Sequence, residues 1–329
     1  MSKGFPEGNM KNAFEKNSIF LVTGGAGFIG SNLCEALIEY GYHVRCFDDL
    51  SSGSRDNIAH LEENDRFSFV QGDICNLDDC QKACAGADYV LHNAALSSVV
   101  ESIQNPEKYR EVNVGGMENM LQAALGNGVK KFVFASSAAV YGDAGKRVAK
   151  EGEEGNPLSV YAETKCENER QAKMYTAKGL DVYGLRYFNV YGKRQRHDSP
   201  YSAVIPNFMD KLLKGMPAKI NGDGLQTRDF VYVADVVQAN LRACLAASDI
   251  AGEVFNVGCG SEISVLELYQ TIASAVGSDR APVFGPAIVG DIRYSCADIQ
   301  KAEKMLGYQP KYSFAEGICI SVEWYQKNI

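Results

Sequence analysis

The sequence predicts an α/β fold, a doubly wound parallel sheet accompanied by a smaller α/β lobe. Apolar strand-like runs alternate with amphipathic helical stretches through the first half of the 329 residues. A glycine-spaced turn joins the first run to the first helix, and after about Arg186 prolines and glycines divide the chain into short elements. Alternation of this kind is typical of a parallel sheet with helices on both faces. Ligands of such sheets bind at the carboxyl ends of the strands.

The apolar periodicity predicts the order of these elements. Strands are expected at Ile19–Thr23, His43–Phe47, Phe67–Gln71, Tyr89–His92, Lys131–Ser136 and Val182–Arg186, and helices at about Phe28–Tyr40, Asp78–Ala83, Pro106–Asn127 and Val160–Lys178. We expect one domain from residues 17–186 plus about 228–257, a lobe from about 187–227 plus 258–329, and an N-terminal extension at 1–16.

The first turn carries glycines at positions 24, 27 and 30, between an apolar run and a helical pattern. Gly24 allows the turn, Gly27 lets backbone approach a pyrophosphate, and Gly30 lets the helix pack on the strand. The phosphates would lie on the N–H groups at the positive end of the helix. The pattern predicts a dinucleotide site; the alternative is an ordinary tight turn.

The second strand ends at Asp48, 24 positions after Gly24, where the ribose-binding carboxylate of such units lies. A carboxylate accepts from both ribose hydroxyls and repels a 2′-phosphate, which favours NAD over NADP. Arg55 lies near the ribose region and leaves NADP as an alternative, whereas Arg45 should point away. Asp48 as a turn cap is the other interpretation. At the end of the third strand, Asp73 is expected near the adenine amino group.

A tyrosine and a lysine lie at i and i+4 on one predicted helix, Tyr161 and Lys165. A cation beside a phenol lowers the pKa of the tyrosine, so that it can exchange a proton with a sugar hydroxyl near neutral pH. Ser137 ends the fifth strand, where its hydroxyl can bond a reacting oxygen. A tyrosine four residues before a lysine is by itself common on surface helices. Together with the glycine turn and Asp48, however, Ser137, Tyr161 and Lys165 predict a catalytic trio.

Composition excludes several classes of partner. The net charge is −8 and no Lys/Arg-rich stripe stands out, so we expect neither nucleic acid nor a membrane surface as a partner. The ten cysteines are scattered without a Cys-x-x-Cys pair, which favours free thiols in a reducing cytoplasm and no metal site.

From about Asn17 to Tyr325 the chain resembles the extended short-chain dehydrogenase/reductases, most closely the bacterial UDP-N-acetylglucosamine 4-epimerases that also handle UDP-GalNAc. Besides the glycine turn and the Tyr161/Lys165 pair, the resemblance rests on the stretches at 72–74, 91–95, 185–192, 203–206, 220–224, 228–230 and 290–295.

The resemblance implies a Rossmann-type fold and NAD-dependent C4 epimerisation of a UDP-hexose through a transient 4-keto sugar, with NAD held tightly. It implies that Ser137, Tyr161 and Lys165 are catalytic. Cofactor contacts are expected at Gly24, Gly27, Phe28, Ile29, Gly30, Asp48, Asp49, Ser51, Gly53, Asp73, Ile74, Ala94, Ala95, Asn113, Ser136, Tyr161, Lys165, Tyr187 and Val190. Substrate contacts are expected at Ser97, Ser98, Val99, Ser137, Tyr161, Asn189, Ala203, Val204, Phe208, Lys219, Asn221, Arg228, Asp291 and Ser295.

Four positions bear on the choice among such enzymes. Ala138 and Ala139 stand where nucleotide-sugar dehydratases carry an Asp-Glu pair, which counts against 4,6-dehydration. Ser295 stands where some epimerases have a tyrosine, and its small side chain leaves room for an N-acetyl group. Ile288 stands where related enzymes often have an arginine that binds the diphosphate. Arg228, Arg293 or a loop residue such as Lys193, Arg194 or Arg196 could substitute.

The alternatives are a UDP-hexuronate or UDP-GlcNAcA 4-epimerase or decarboxylase, a net dehydrogenase that releases NADH, and a non-catalytic NAD(P)-binding regulator. The resemblance also implies a cytoplasmic homodimer with a four-helix interface, formed by the helices at about Pro106–Asn127 and Val160–Lys178, and a role in polysaccharide biosynthesis.

Overall fold

The computed structural model describes residues 10–142, 148–196, 203–288 and 292–328. Its centre is a seven-stranded parallel sheet with the strand order β12-β7-β5-β4-β1-β2-β3. The strands are β1 Ile19–Thr23, β2 His43–Asp48, β3 Phe67–Gln71, β4 Tyr89–His92, β5 Lys131–Ser137, β6 Val148–Ala149, β7 Val182–Tyr187, β8 Asn189–Tyr191, β9 Lys219–Asn221, β10 Thr227–Arg228, β11 Phe230–Tyr232, β12 Val254–Val257, β13 Ile263–Ser264, β14 Val283–Gly285 and β15 Cys296–Ala297.

Helices follow most of the central strands. The α-helices are α1 Phe28–Glu39, α2 Leu77–Cys84, α3 Val99–Gln104, α4 Pro106–Tyr109, α5 Gly116–Gly126, α6 Val160–Ala177, α7 Val204–Leu213, α8 Val233–Cys244, α9 Val265–Val276, α10 Gln300–Leu306 and α11 Phe314–Asn328. Short 3-10 turns occur at Met10–Asn12, Arg55–Asn57, Ala59–Leu61, Ala138–Tyr141 and Ser248–Ile250.

The predicted α/β class and the order of elements are confirmed, with one difference in the helix expected at about Pro106–Asn127. That stretch is three segments: α4, a π-helical turn at Arg110–Gly115, and α5. The extra residue of a π turn redirects side chains, and here Asn113 in the turn faces inward, 2% exposed. Its amide group hydrogen-bonds the loop after β4 and helix α6.

The parallel register brings the carboxyl ends of the central strands to one edge. Thr23 at the end of β1 is level with Phe47 on β2 and His92 on β4. The interior of β1 is fully buried, from Phe20 to Val22, as expected for a strand covered by helices on both sides.

The smaller strands lie beyond this sheet and are tied to it. β8 pairs in parallel with β11, and one hydrophobic cluster joins residues of the sheet to Phe208 and Tyr269 further along the chain. The buried carboxylate of Asp229 accepts the backbone N–H groups of Cys259 at 2.7 Å, Gly260 at 2.9 Å and Ala297 at 3.1 Å. One side chain thereby binds two separate segments, at 259–260 and at Ala297.

The segment from Met10 packs on the amino ends of the central strands. The Phe14 ring lies edge-on to Phe20 at 5.0 Å, Tyr42 at 5.5 Å and Tyr89 at 5.0 Å between ring centroids. The Tyr42 hydroxyl donates to the Met10 carbonyl oxygen at 2.6 Å. This segment therefore closes the end of the sheet opposite the carboxyl edge.

Two further features concern the apolarity of the helices and the state of the cysteines. Within the part of the chain that the structure describes, no helix combines the length and apolarity needed to cross a bilayer. All ten cysteines are free thiols, and most of them are buried.

Candidate active site

The glycine turn between β1 and α1 lies at the carboxyl edge of the sheet. Gly24 has a φ of 62°, and a Cβ atom there would lie 2.8 Å from the Ala94 nitrogen. A Cβ atom at Gly30 would collide with the carbonyl oxygen of Gly24. Helix α1 begins after Gly27, which provides no side-chain cap. The turn therefore presents bare backbone at the positive end of a helix, which fits the pyrophosphate of a dinucleotide.

Asp48 ends β2 beside this turn and is 7% exposed. Its carboxylate accepts the N–H groups of Ala26 at 3.0 Å and Leu50 at 2.8 Å. Burial raises the pKa of Asp48, and these two bonds act in the opposite direction. Asp48 thus does cap the local backbone, but a carboxylate offers about four acceptor positions, so a ribose contact remains compatible and stays a prediction.

The residues around the adenine side of the expected site are organised by local bonds. Asp49 accepts both the N–H and the hydroxyl of Ser51, at 2.9 and 2.7 Å. A Cβ atom at Gly53 would lie 3.0 Å from an Asp48 oxygen. The exposed Asp73 follows β3 and accepts the Cys75 N–H at 2.8 Å. Ile74 instead joins the hydrophobic core, 7% exposed.

The two arginines near Asp48 face other partners. Arg45 donates to the carbonyl oxygens of Ala83 and Ala85 at the end of α2, so it points away as expected. Arg55 forms an ion pair with Glu62 at 2.9 Å and stacks on the Phe69 ring. Because its guanidinium is held there, the structure supplies no argument for a 2′-phosphate at this edge.

The end of β4 and the segment after it form the middle of the site. The Thr23 hydroxyl accepts the Ala94 N–H at 3.2 Å and lies 2.8 Å from Nδ1 of His92. Ala95 is half-buried in this segment. Further along, Ser97 is exposed, Ser98 accepts the Glu101 N–H as the N-cap of α3, and Val99 begins α3 with its side chain exposed.

Tyr187 ends β7, and Val190 lies in β8 just after it. The Tyr187 hydroxyl donates to Oδ1 of Asn93 at 3.3 Å and accepts from Asn240 at 2.8 Å. Val190 pairs with Val231 in the β8–β11 ladder. Both therefore border the carboxyl edge, and their cofactor contacts stay predictions.

The three catalytic candidates are brought together. Ser137 ends β5, and its side chain forms a hydrogen bond with Tyr161. Helix α6 begins at Val160, after Ser159 caps it by accepting the Ala162 N–H. Nζ of Lys165 lies 5.8 Å from the centroid of the Tyr161 ring and donates to the Ala135 carbonyl oxygen at 2.8 Å.

The electrostatics of the trio differ from the expectation for Tyr161. Burial raises the pKa of Tyr161, and the hydrogen bond with Ser137 opposes this shift without reversing it. Burial lowers the pKa of Lys165 to about 8, and the Glu169 carboxylate acts in the opposite direction. For the protein's own residues the pKa of Tyr161 is therefore raised and not lowered, because desolvation outweighs the hydrogen bond with Ser137.

The predicted nucleotide contacts lie on the short elements beyond the sheet. Asn189 opens β8 and donates to the Asp229 carbonyl oxygen at 3.1 Å. Asn221 ends β9, and its carbonyl oxygen accepts from Gln226 at 2.9 Å. Exposed Ala203 precedes α7, which opens with half-buried Val204.

Phe208 lies on the inner face of α7, 2% exposed, with its ring edge-on to Tyr269 at 5.4 Å. It supports the helix from the core, so a direct substrate contact by Phe208 stays a prediction that its burial does not favour. Half-buried Ser295 precedes β15. Asp291 lies outside the described residues.

Several cations surround this region, and at least three of them bind carboxylates. Arg293 binds Asp223 through two bonds of 2.8 and 3.0 Å. Lys193 and Arg194 both bind Glu35 on α1 at 2.6 Å. Arg228 is half-buried, with Nη1 donating to the Thr227 carbonyl oxygen at 2.8 Å, and the Lys219 side chain lies over Gly285. Ile288 is 59% exposed.

Sequence reasoning missed two charged residues behind the trio. Glu169 accepts a hydrogen bond from Ser136 at 2.6 Å, and Arg186 on β7 pairs with Glu169. The spacing of four residues from Lys165 to Glu169 places both on one helix face and could have drawn attention to Glu169. Arg186 lies within a buried strand and carries no comparable local signal.

Comparisons with known proteins agree with this geometry. Residues 20–258 match the family described as the NAD dependent epimerase/dehydratase family. The chain is 41% identical to a UDP-glucose 4-epimerase of Mycolicibacterium smegmatis over 94% of this chain and 98% of the relative. It is also similar to a solved UDP-N-acetylglucosamine 4-epimerase from Methanobrevibacter ruminantium in complex with UDP-N-acetylmuramic acid, with a TM-score of 0.91 and 35% identity over 96% of this chain and 100% of the other.

A third similar protein, a UDP-glucuronic acid 4-epimerase from Bacillus cereus, was solved with UDP-glucuronic acid and NAD. It has a TM-score of 0.87 and 32% identity over 94% of this chain and 100% of the other. The fit of the glycine turn to a pyrophosphate agrees with NAD as the cofactor. With the family match and these relatives, the chain belongs to the NAD-dependent epimerase/dehydratase family, as a UDP-sugar 4-epimerase that uses NAD.

Proposed function

We propose that the protein interconverts UDP-GlcNAc and UDP-GalNAc by inverting C4 of the sugar, with UDP-Glc and UDP-Gal as further substrates. The observation that carries this sugar assignment is the small, half-buried side chain of Ser295, which leaves room for a C2 N-acetyl group. The similarity to a UDP-N-acetylglucosamine 4-epimerase supports it. Ala138 and Ala139 cannot move a proton, which argues against dehydration of the sugar.

The chain's own residues then have separable roles. Tyr161 takes the proton of the sugar 4-hydroxyl and returns it after the transient 4-keto sugar has turned over, so that no net oxidation occurs. Ser137, which shares a hydrogen bond with Tyr161, holds the reacting oxygen. NAD, when bound, accepts and returns the C4 hydride, and its positive ring favours the phenolate. Lys165 adds a second positive charge beside the phenol.

The cofactor has to stay bound between turnovers, since the reaction regenerates it. We assign its pyrophosphate to the turn from Gly24 to Gly30 and its adenosine ribose to Asp48. The nucleotide of the substrate is the fixed anchor, and the hexose is held loosely, because tight contacts to one face would block its rotation.

Arg228 is our choice for the cation that replaces the absent arginine at Ile288. Loss of a charge-assisted donor costs about 1.5–3 kcal/mol, so a substitute matters. The resemblance places half-buried Arg228 at a position that contacts the diphosphate or the uridine. A guanidinium has five N–H donors, which suits Arg228 to a diphosphate better than a lysine.

A substrate screen with purified protein and no added NAD tests this function. UDP-GlcNAc, UDP-Glc, UDP-GlcA and UDP-GlcNAcA are incubated separately, and C4 inversion is followed by NMR. We expect inversion of UDP-GlcNAc with flat absorbance of reduced nicotinamide. Inversion of the uronates alone, or release of carbon dioxide, would favour the uronate alternatives. Stoichiometric NADH would indicate a dehydrogenase, and NAD binding without turnover would indicate a regulator.

A variant sharpens the sugar assignment. Ser295→Tyr should lose most turnover of UDP-GlcNAc and keep that of UDP-Glc, because only the N-acetyl group needs the space. Equal loss of both sugars would contradict the size argument.

We also propose a cytoplasmic homodimer built on α4, α5 and α6, which serves polysaccharide biosynthesis. The exposed residues of α6 include Glu163, Arg170, Lys173 and Met174, so this interface would be largely polar. Light scattering of the purified protein at several concentrations measures the mass, and a monomer at all concentrations would refute the dimer.

A further inference from the structure

A buried charge network lies directly behind the catalytic trio. Lys165 and Glu169 are one turn apart on α6 and form hydrogen bonds with consecutive residues of β5. Nζ of Lys165 donates to the Ala135 carbonyl oxygen at 2.8 Å, and the Ser136 hydroxyl donates to Oε1 of Glu169 at 2.6 Å. The next residue of the strand is Ser137. Helix α6, which carries Tyr161, is therefore hydrogen-bonded to strand β5, which ends in Ser137.

Arg186 completes the network from the next strand. It is opposite Ser136 in the β5–β7 ladder and 3% exposed. Its Nε and Nη2 bind the two carboxylate oxygens of Glu169 at 2.8 and 2.7 Å. Nη1 donates to the Tyr141 hydroxyl at 2.9 Å and to Glu154. Such a two-bond pair fixes the orientation of both groups.

The charges around Lys165 differ in sign. His92 on β4 lies close enough that the Lys165 charge lowers its pKa, and burial keeps it neutral. Tyr161 is on the same helix, and burial keeps it in the neutral form. Arg186 adds a positive charge beyond Glu169. The carboxylate of Glu169 is the group that opposes the effect of burial on the Lys165 ammonium.

We propose that Glu169 is a positioning residue of the reaction, whose carboxylate, held in place by Arg186, binds β5 next to the residue that holds the Lys165 ammonium. The inference rests on the proposed function, because only a proton-transfer reaction at Tyr161 needs the ammonium. Without Glu169, the charge that opposes the effect of burial on Lys165 is lost, while the positive charge of Arg186 remains. Lys165 would then lose its proton at lower pH.

The test replaces charge while keeping shape. Glu169→Gln should lower the pKa of Lys165 by about one unit, since removal of a neighbouring opposite charge has an effect of this size. The basic limb of the kcat–pH profile should move down equally. Glu169→Ala is a second variant, for the case in which the amide of the new glutamine conflicts with Arg186. Because Glu169 and Arg186 both border a cavity of about 480 Å³, water that enters it can solvate the Arg186 guanidinium in this variant.

Two control variants separate the causes. Glu167→Gln removes the same charge from the same helix, at a more exposed position paired with Arg170. Glu154→Gln removes the other carboxylate bound to Arg186. We expect both to leave the basic limb within about 0.2 pH unit of that of the unmodified protein, because neither opposes burial at Lys165.

Two measurements are made on the NAD-loaded protein and its variants. NMR of labelled lysine side chains, with the Lys165 signal assigned through Lys165→Met, gives the pKa of Lys165 directly. Epimerisation of the preferred UDP-sugar gives the pH profile. An unshifted Lys165 in folded Glu169 variants overturns the proposal, as does an equal shift in Glu167→Gln or Glu154→Gln. If the unmodified protein inverts no UDP-sugar, the proposed function fails, while the NMR titration still decides the electrostatic role of Glu169.

Discussion

His92 should make the folded protein sensitive to acid. Its ring is 6% exposed, with Nδ1 2.8 Å from the Thr23 hydroxyl, and burial together with the Lys165 charge lowers its pKa from 6.5 to about 3. Between these values the unfolded chain binds a proton that the folded protein does not. The contribution of His92 to the free energy of unfolding is therefore complete above about pH 6.5 and is lost as pH falls toward 3.

The size of this effect follows from the two pKa values. At 1.36 kcal/mol per unit, the contribution falls by about 2.5 kcal/mol between pH 6 and pH 4. Buried Asp235 acts in the opposite direction in part of this window, so the comparison uses His92→Gln, which removes only the His92 contribution.

Urea unfolding at a series of pH values, with NAD at saturation, measures the difference. The unmodified protein should lose about 2.5 kcal/mol more than His92→Gln on going from pH 6 to pH 4. Equal losses would refute the reasoning. NMR of the histidine ring protons is an independent check, and a His92 signal that titrates near its ordinary value in the folded protein would refute it too.

Three further predictions concern the trio, the glycine turn and a buried carboxylate. Tyr161→Phe should lose about 100- to 10,000-fold in kcat and keep its NAD, measured as nicotinamide released on denaturation; near-normal turnover would remove Tyr161 from the chemistry. Gly30→Ala should purify with little NAD, because its Cβ would collide with the Gly24 carbonyl oxygen, whereas Gly126→Ala, at an open position of α5, should keep it. Burial raises the pKa of Asp235 from 3.8 to about 6, so its contribution to stability falls as pH rises through that range; Asp235→Asn should remove this dependence, worth about 3 kcal/mol, and an unaltered pH slope would contradict it.

The parts of the site that could be predicted are those encoded locally. The spacing of four residues between Tyr161 and Lys165 places both on one helix face, whatever the tertiary packing. The glycines at 24, 27 and 30 have the same local character, since Gly24 has a positive φ and a Cβ atom at Gly27 or Gly30 would press on the Gly24 carbonyl oxygen of the same turn. The strand bounds followed from apolar runs, because a strand covered on both faces must be apolar throughout.

The parts that could not be predicted depend on contacts between distant segments. The sign of the Tyr161 pKa shift depends on burial, which only the assembled site determines. Phe208 has an aromatic ring that would suit either a uracil or a core, and only the folded structure shows that the ring packs on Tyr269. The π turn contains Asn113, whose side chain bonds Leu96 and Thr164, on elements far away in the sequence.

The aromatic closure formed by Phe14 has a practical consequence. It covers the amino ends of β1, β2 and β4, whereas the glycine turn and Ser137 lie at the carboxyl ends, across the full length of the strands. A purification tag or surface tether joined to Met10 would start on the side of the sheet opposite the glycine turn and Ser137. Immobilisation through this end should therefore orient the protein with its site toward the solution.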